Sequence, residues 1–243
     1  MKHPRSLLFS AAAAAATLGA FAGAPARAAI VQTNAFNNTL AGLPVSSTDL
    51  LQTNLASVTS SGGFSGFAAN TLSLLTDGLL GTPGAPSGVA SVAPLGGTSI
   101  TFTLDTATNP LGYDITSLVT TASWDTGRDG QEYTVSYSTV AAPATFTTLF
   151  TIAQYQSPQA EFNPATTSVT LTENAGSGLL ATGVAAVRLT FTNFENSGTA
   201  YREIDLIGAP VGAATVPEPS ALALFALPLL GVAATRRFRR PCG

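Results

Sequence analysis

Between residues 30 and 215 the chain has no histidine and no cysteine; its single His3 and single Cys242 lie near the two ends. Ser–His–Asp and Cys–His catalysis, most zinc sites and any disulfide framework are therefore excluded from that stretch. What remains for chemistry is carboxylates, hydroxyls, a few aromatics and three arginines, Arg128, Arg188 and Arg202. The twelve acidic residues there leave a carboxylate pair of the glycosidase kind formally open, but no motif marks one. No GxGxxG opens a helix after a strand, and there is no Walker-type run. Twelve acids against three arginines, with no lysine, give a charge near −9. Phosphate backbones need a basic footprint, so nucleic-acid binding is excluded. An acidic, lysine-free surface suits cations or neutral sugars better than polyanions.

The aromatics carry the other usable chemistry. Phe64 and Phe67 sit in Gly-Gly-Phe-Ser-Gly-Phe, a loop with little local packing reason for them. An apolar sugar face needs such a plate, with a few fixed polar groups around it. Trp124 is a third candidate platform. Arg128, alone in a turn before a strand, reads as an internal clamp that orders its neighbours rather than as a ligand contact.

The elements that must position these groups are strands. In Ser99–Asp105 apolar residues occupy even positions and polar ones odd positions; Tyr133, Val135 and Tyr137 alternate with Thr134, Ser136 and Ser138. Val187, Leu189 and Phe191 alternate with Arg188, Thr190 and Thr192. Each is a strand with one buried and one hydroxyl-lined face. Further strands are expected at Asp114–Ala122, Phe146–Ala153, Ser168–Thr172 and Tyr201–Gly208, separated by turn signals such as Asn109-Pro110, Gly127–Gly130 and Asn163-Pro164. Seven or eight strands without intervening helices predict an all-β sandwich over residues 29–208. Leu40–Ala69 is expected to hold one short strand within loops, and Gly78–Gly97 to be a long loop.

The two ends read as processing signals. Lys2, His3 and Arg5 precede an apolar run from Leu7 to Phe21, and Ala26-Arg27-Ala28 supplies an A-x-A exit, so residues 1–28 are expected to be a signal peptide cleaved at Ala28. At the other end, residues 209–215 form a small-residue linker before Val216-Pro217-Glu218-Pro219. An uncharged segment over 220–235 follows, then Arg236, Arg237, Arg239 and Arg240. Its 16 residues would span roughly 24 Å as a helix, short of a ~30 Å hydrocarbon core, with the arginines on the cytoplasmic side. Residues 216–240 resemble the PEP-CTERM sorting signal. The resemblance implies export, transient membrane anchoring, removal of the tail by an exosortase, and delivery to the cell surface or an extracellular polysaccharide matrix.

A second resemblance lies in the ordered set Leu75-Thr76-Asp77-Gly78, Ser99–Leu104, Tyr113–Leu118, Trp124–Arg128, Gln131–Val135, Val187–Thr192 and Tyr201–Gly208. Over about residues 45–208 it resembles the discoidin, or F5/8 type C, group of galactose-binding-like jelly rolls. That resemblance implies a non-enzymatic binding module whose loops at one end contact sugars or matrix polymers, and it favours a core position for Trp124. It also implies one structural calcium ion, here held by Asp77 and Glu203 with Thr82 as helper, although Gly81-Thr82-Pro83-Gly84 departs from the usual loop. Calcium takes several oxygens, carbonyls included. Without a metal, Asp77 would cap the turn at Gly78 and Glu203 would pair with Arg128, Arg188 or Arg202. Two other functions stay open: a structural or adhesive matrix component without a discrete site, and a glycan-acting enzyme using carboxylates alone.

Overall fold

A computed structural model describes residues 29–81, 91–125, 127–160, 163–192, 195–196 and 198–212. The expected signal peptide with Ala26 and Ala28, the loop residue Thr82, and the sorting segment from Val216 to Arg240 lie outside the described residues. Among the described residues, no helix is long and apolar enough to cross a membrane.

The described chain forms nine strands: β1 Ile30–Asn37, β2 Leu55–Ser61, β3 Ser99–Leu104, β4 Tyr113–Asp125, β5 Tyr133–Thr139, β6 Ala142–Thr151, β7 Pro164–Glu173, β8 Ala181–Phe191 and β9 Tyr201–Pro210. All pairings are antiparallel, and they make two layers. One layer runs β1-β7-β4-β9 and the other β2-β3-β8-β5-β6. The start of β4 also pairs with β8, at Tyr113↔Val184 and Ile115↔Ala181, and seals the layers along one side. The chain crosses repeatedly from layer to layer, so the structure is the antiparallel all-β sandwich that the alternation predicts.

Period 2 explains the packing. Along β3, Ile100, Phe102 and Leu104 are buried while Ser99, Thr101 and Thr103 face outward. Val187, Leu189 and Phe191 of β8 and Tyr133 and Val135 of β5 meet them from neighbouring strands. Each large apolar side chain taken fully out of water contributes about 1.5–3 kcal/mol, and these strands supply one layer's side of the core, which Leu118 of β4, Leu171 of β7 and Ile204 of β9 join from the other layer.

Three features depart from the sequence reading. Residues 30–37, for which no strand was expected, form the edge strand β1, paired residue for residue with β7. Helix is present as two single turns, α1 at Leu50–Thr53 and a 3₁₀ turn at Leu72–Leu75. A capping box starts α1: Leu51 N–H donates to Asp49 Oδ1 at 2.8 Å, and Asp49 N–H to Gln52 Oε1 at 3.0 Å. Finally, β9 runs two residues past 208, and Val211 N–H donates to Gly112 O at 2.9 Å, so the stretch expected as linker begins inside the sheet.

Gly208 shows how tightly β9 is laid down. A Cβ there would lie 2.2 Å from Asp114 O and 3.0 Å from Leu50 Cδ1, and neither the β4 backbone nor the buried α1 has room to retreat. Gly208→Ala should cost about 1–3 kcal/mol by overpacking. In thermal unfolding this should appear as a Tm lowered by roughly 3–10 °C; an unchanged Tm would contradict the close approach.

Candidate functional site

At one end of the sandwich, loops bring together an aromatic and cationic cluster. The guanidinium carbon of Arg128 lies 3.4 Å from the centroid of the Phe67 ring. Trp124 meets Phe67 edge-on, with centroids 5.0 Å apart and planes at 74°. All three side chains are half-buried, so the cluster reaches solvent while each member is packed against another. Cation–π contact of this kind contributes about 0.5–2 kcal/mol depending on desolvation.

Each member rests on a fixed mount. Trp124 stands at the end of β4, opposite Ala165. Arg128 occupies the following turn, where its Nη1 donates to Asn196 O at 2.6 Å and Gly198 O at 3.3 Å. Beneath the turn, Gly130 N–H donates to Glu195 Oε2 at 2.6 Å, and the Thr167 and Thr199 hydroxyls donate to Asp129 O and Gly130 O. Phe67 is carried by the 62–70 loop, which Asn70 closes: its Nδ2 donates to Ser65 O and Ala68 O, and its Oδ1 accepts from Ala93 N–H. Asn70 adopts φ 57°, in the left-handed region that asparagine tolerates.

The structure separates the two loop phenylalanines. Phe67 joins the cluster, whereas Phe64 forms a bridge with Pro94 and packs against the core. Trp124, which the fold resemblance favoured as a core residue, is half-buried at a strand end and lies outside the core cluster. Arg128 clamps the backbone at Asn196 and Gly198, the ordering role expected of it, and its guanidinium face is also committed to Phe67.

A second constellation lies under α1 and the 72–81 segment. Asp77 is exposed, and its Oδ1 accepts from Leu79 N–H at 2.9 Å, a turn cap beside Gly78 at φ 73°. Glu203 is 1% exposed; its Oε1 accepts from Gln52 Nε2 at 2.9 Å and Gly78 N–H at 3.2 Å. Among the described residues no arginine is paired with it: Arg202, its neighbour, donates from Nε to Ser123 O and from Nη1 to Leu80 O instead. Two further carboxylates are buried with Glu203. Asp205 Oδ2 accepts from Ser46 N–H at 3.0 Å, and Asp49 Oδ1 accepts from Leu51 and Leu206 N–H. The opposite oxygens, Glu203 Oε2, Asp205 Oδ1 and Asp49 Oδ2, are buried without a hydrogen-bond partner.

Burial disfavours the charged forms, and mutual repulsion adds to it. Burial first, then the charges of Asp205, Asp77 and Asp49, push the Glu203 carboxyl up to about 9, against the Gly78 hydrogen bond. Asp205 is pushed up to about 6 by burial, with Asp49 adding to the rise. Burial likewise raises Asp49. A cation or protons would relieve this cluster. No group of three or more acidic side chains among the described residues converges as a metal site, so a metal there would take one or two carboxylates and complete its shell with loop carbonyls. Calcium accepts such a shell, and the unpartnered Glu203 oxygen beside the 77–81 backbone fits that role.

Sequence reasoning missed Asp49 and Asp205. Glu203 and Asp205 alternate with the core residues Ile204 and Leu206, which marks them as outward-facing; covering by α1 and the 72–81 segment is a tertiary event that alternation does not report. For the enzyme alternative, a side cleft of about 460 Å³ lined by Ile30, Tyr137, Leu149, Phe150 and Leu180 offers no carboxylate.

No protein-family model matches the chain, and no curated protein matches it by sequence. Solved structures similar to it include the CBM32 of AlyQ in complex with 4,5-unsaturated mannuronic acid, at 18% identity and a TM-score of 0.40, covering 63% of this chain and 95% of that one. A truncated AlyQ with CBM32 and alginate lyase domains matches at 19% identity and a TM-score of 0.39, over 64% of this chain and 32% of that one. A pectin-binding carbohydrate-binding module matches at 14% identity and a TM-score of 0.32, over 67% of this chain and 94% of that one. Likeness of this degree transfers neither ligand nor residue role.

Proposed function

We infer that the chain is an exported, non-enzymatic glycan-binding protein of the cell surface or extracellular matrix. The carrying observation is the Phe67–Arg128–Trp124 cluster, an aromatic and donor surface held at the loop end on a hydrogen-bonded mount. A sugar offers an apolar ring face to an aromatic plate and hydroxyls to nearby polar groups. The buried carboxylates Asp129 and Glu195 sit under the same turn, which favours neutral over acidic sugars there. The ends of the chain support export: an A-x-A exit at Ala26 and Ala28, and the Pro217-Glu218-Pro219 tail with its arginine cluster, suited to an exosortase. In the same reading, Glu203 and Asp77, with Thr82, hold a structural calcium ion that replaces the proton on Glu203. Bound there, it would neutralise the cluster and fix the 77–81 turn.

The sugar reading separates two neighbouring substitutions. Phe67→Ala should weaken retardation in affinity gels containing neutral polysaccharides by roughly tenfold, the effect of losing one stacking contact worth about 1–2 kcal/mol, with a Tm lowered by only a few degrees through the lost Arg128 and Trp124 contacts. Phe64→Ala should do the reverse, lowering Tm through a lost core contact while leaving binding intact. Absence of retardation by every neutral polymer would leave a plain scaffold.

The calcium reading is tested through pH. An acid whose folded pKa is raised stabilises the fold fully below its unfolded value near 4.5 and loses that contribution as pH climbs to about 9. Metal-free protein should therefore show a Tm that falls between about pH 5 and pH 9. Added Ca²⁺ should flatten the fall by stabilising the native state. Glu203→Gln should flatten it without metal and abolish the Ca²⁺ response. A steep fall that Ca²⁺ leaves unchanged would assign the cluster to protons alone.

Processing has its own readout. Mass spectrometry of surface-extracted protein should find an N-terminus at Ala29 or Ile30 and no peptides from Phe225 to Arg240. Intact tail peptides as the main species would instead mean a permanent anchor.

A further inference from the structure

The outer face of the β2-β3-β8-β5-β6 layer carries two rows of side chains that cross all five strands in register. One row runs Thr59, Thr101, Arg188, Ser136, Thr148; the next runs Ser61, Ser99, Thr190, Thr134, Thr151. Neighbouring hydroxyls touch: Ser99 Oγ and Thr190 Oγ1 are 2.9 Å apart, Thr134 and Thr151 Oγ1 3.2 Å. At about 4.8 Å between strands, each row spans roughly 19 Å.

Arg188 is the charged member of these rows, and it is held from two sides. Its Nε donates to Thr101 Oγ1 at 3.0 Å, and its guanidinium carbon lies 3.6 Å from the centroid of the Phe146 ring, on β6. Stacking uses the flat face of the guanidinium and leaves its in-plane Nη hydrogens free to meet a carboxylate. The side chain is half-buried, and among the described residues no carboxylate is paired with it. The acidic residues next met along the outer positions of these strands, Asp105 after β3 and Glu132 before β5, each stand four residues from the Arg188 row, roughly 13 Å away at ~3.3 Å per residue. That exceeds the Debye length of about 8 Å at physiological salt. The face therefore presents a locally positive, pre-oriented centre within a hydroxyl field, whatever the net charge.

We propose that this face is a second glycan-binding surface, separate from the loop end, which takes acidic polysaccharides by placing a uronate carboxylate on Arg188 and sugar hydroxyls on the Ser/Thr rows. It tests independently of the neutral-sugar reading. Full-length protein is run in affinity gels containing sodium polygalacturonate or the same polymer fully methyl-esterified. The acidic polymer should retard the protein and the ester should not, and retardation should fall as NaCl rises from about 20 to about 300 mM. Arg188→Gln should weaken it roughly tenfold, the scale of one charge-assisted hydrogen bond, with a Tm lowered by no more than a few degrees through the lost Thr101 and Phe146 contacts. Arg188→Lys should recover little, because an ammonium lacks both the fork and the stack. Phe67→Ala should leave this binding intact. Equal retardation of Arg188→Gln and the unaltered protein, equal retardation by acid and ester, or no retardation by polygalacturonate would each overturn the proposal.

Discussion

Arg202 and Glu203 are consecutive on β9, both fully buried, and not paired with each other; the rest of the architecture around β9 depends on how the Arg202 charge and the Glu203 carboxyl are met. Burying an unpaired charge costs several kcal/mol. Two adjacent residues of a regular strand face opposite sides, and the ladder with β4 slips between Thr121↔Glu203 and Ala122↔Tyr201. This bulge leaves Arg202 outside the pairing and re-aims it. Backbone then does what a salt bridge would do elsewhere. The 78–80 segment donates Gly78 N–H to Glu203 and accepts from Arg202 at Leu80 O, so one short loop serves both side chains. With the loop fixed, Leu75 and Leu80 are buried, and the segment leading into α1 closes over β9, Ser46 N–H donating to Asp205 and the N-cap Asp49 accepting from Leu206 N–H.

The loop end depends on a different buried polar set. Thr120 Oγ1 lies 2.6 Å from Gln131 Oε1 and 2.5 Å from the Tyr133 hydroxyl, and Gln131 Nε2 reaches Thr167. Burial raises the Tyr133 hydroxyl far above its ordinary value, to a state in which it only donates and accepts hydrogen bonds. Networks of this kind are rigid when every member is satisfied. Here the network ties β4, β5 and β7 immediately below the turn that carries Arg128. The Phe67 stack is thus anchored to the core rather than to loops alone, which is the condition for a preorganised binding surface.

Legibility in the sequence followed the range of the interaction. Strands such as Ser99–Leu104 were legible because alternation is a local property that one buried face dictates. β1 was not: Ile30–Asn37 alternates poorly, and only its register with β7 makes it a strand. Within the functional clusters, Phe67 and Arg128 could be singled out by residue type in a glycine-rich loop and a turn. Their partnership could not, since they are distant in sequence and meet only when the layers close. Asp77 was legible as a turn residue from Asp-Gly, but the burial of Glu203 and Asp205 came from segments laid across a face that alternation assigns to water. The resemblance of residues 216–240 to a sorting signal rests on motif order alone, and those residues lie outside the described structure.

A sandwich with no lysine must protect its free edges by other means, since lysine on an edge is a common device against edge-to-edge pairing. The edge strand β2 carries a register shift between Leu55 and Ser57, and β6 contains Pro143 and a shift opposite Val135 and Ser136. β9 ends in Pro210, which lacks the N–H another strand would need, and its ladder is broken at two points. Bulges and prolines thus spoil the regular pattern that a foreign strand would have to match. β1 differs: its eight residues run in unbroken register with β7, and Phe36 at its far end is 45% exposed. Its register shows no shift, and the twelve acids against three arginines between residues 30 and 215 give a net charge that opposes the approach of a second copy to that edge. The charge imbalance that narrows the choice of ligands therefore also acts against edge-to-edge association where the fold leaves an edge unguarded.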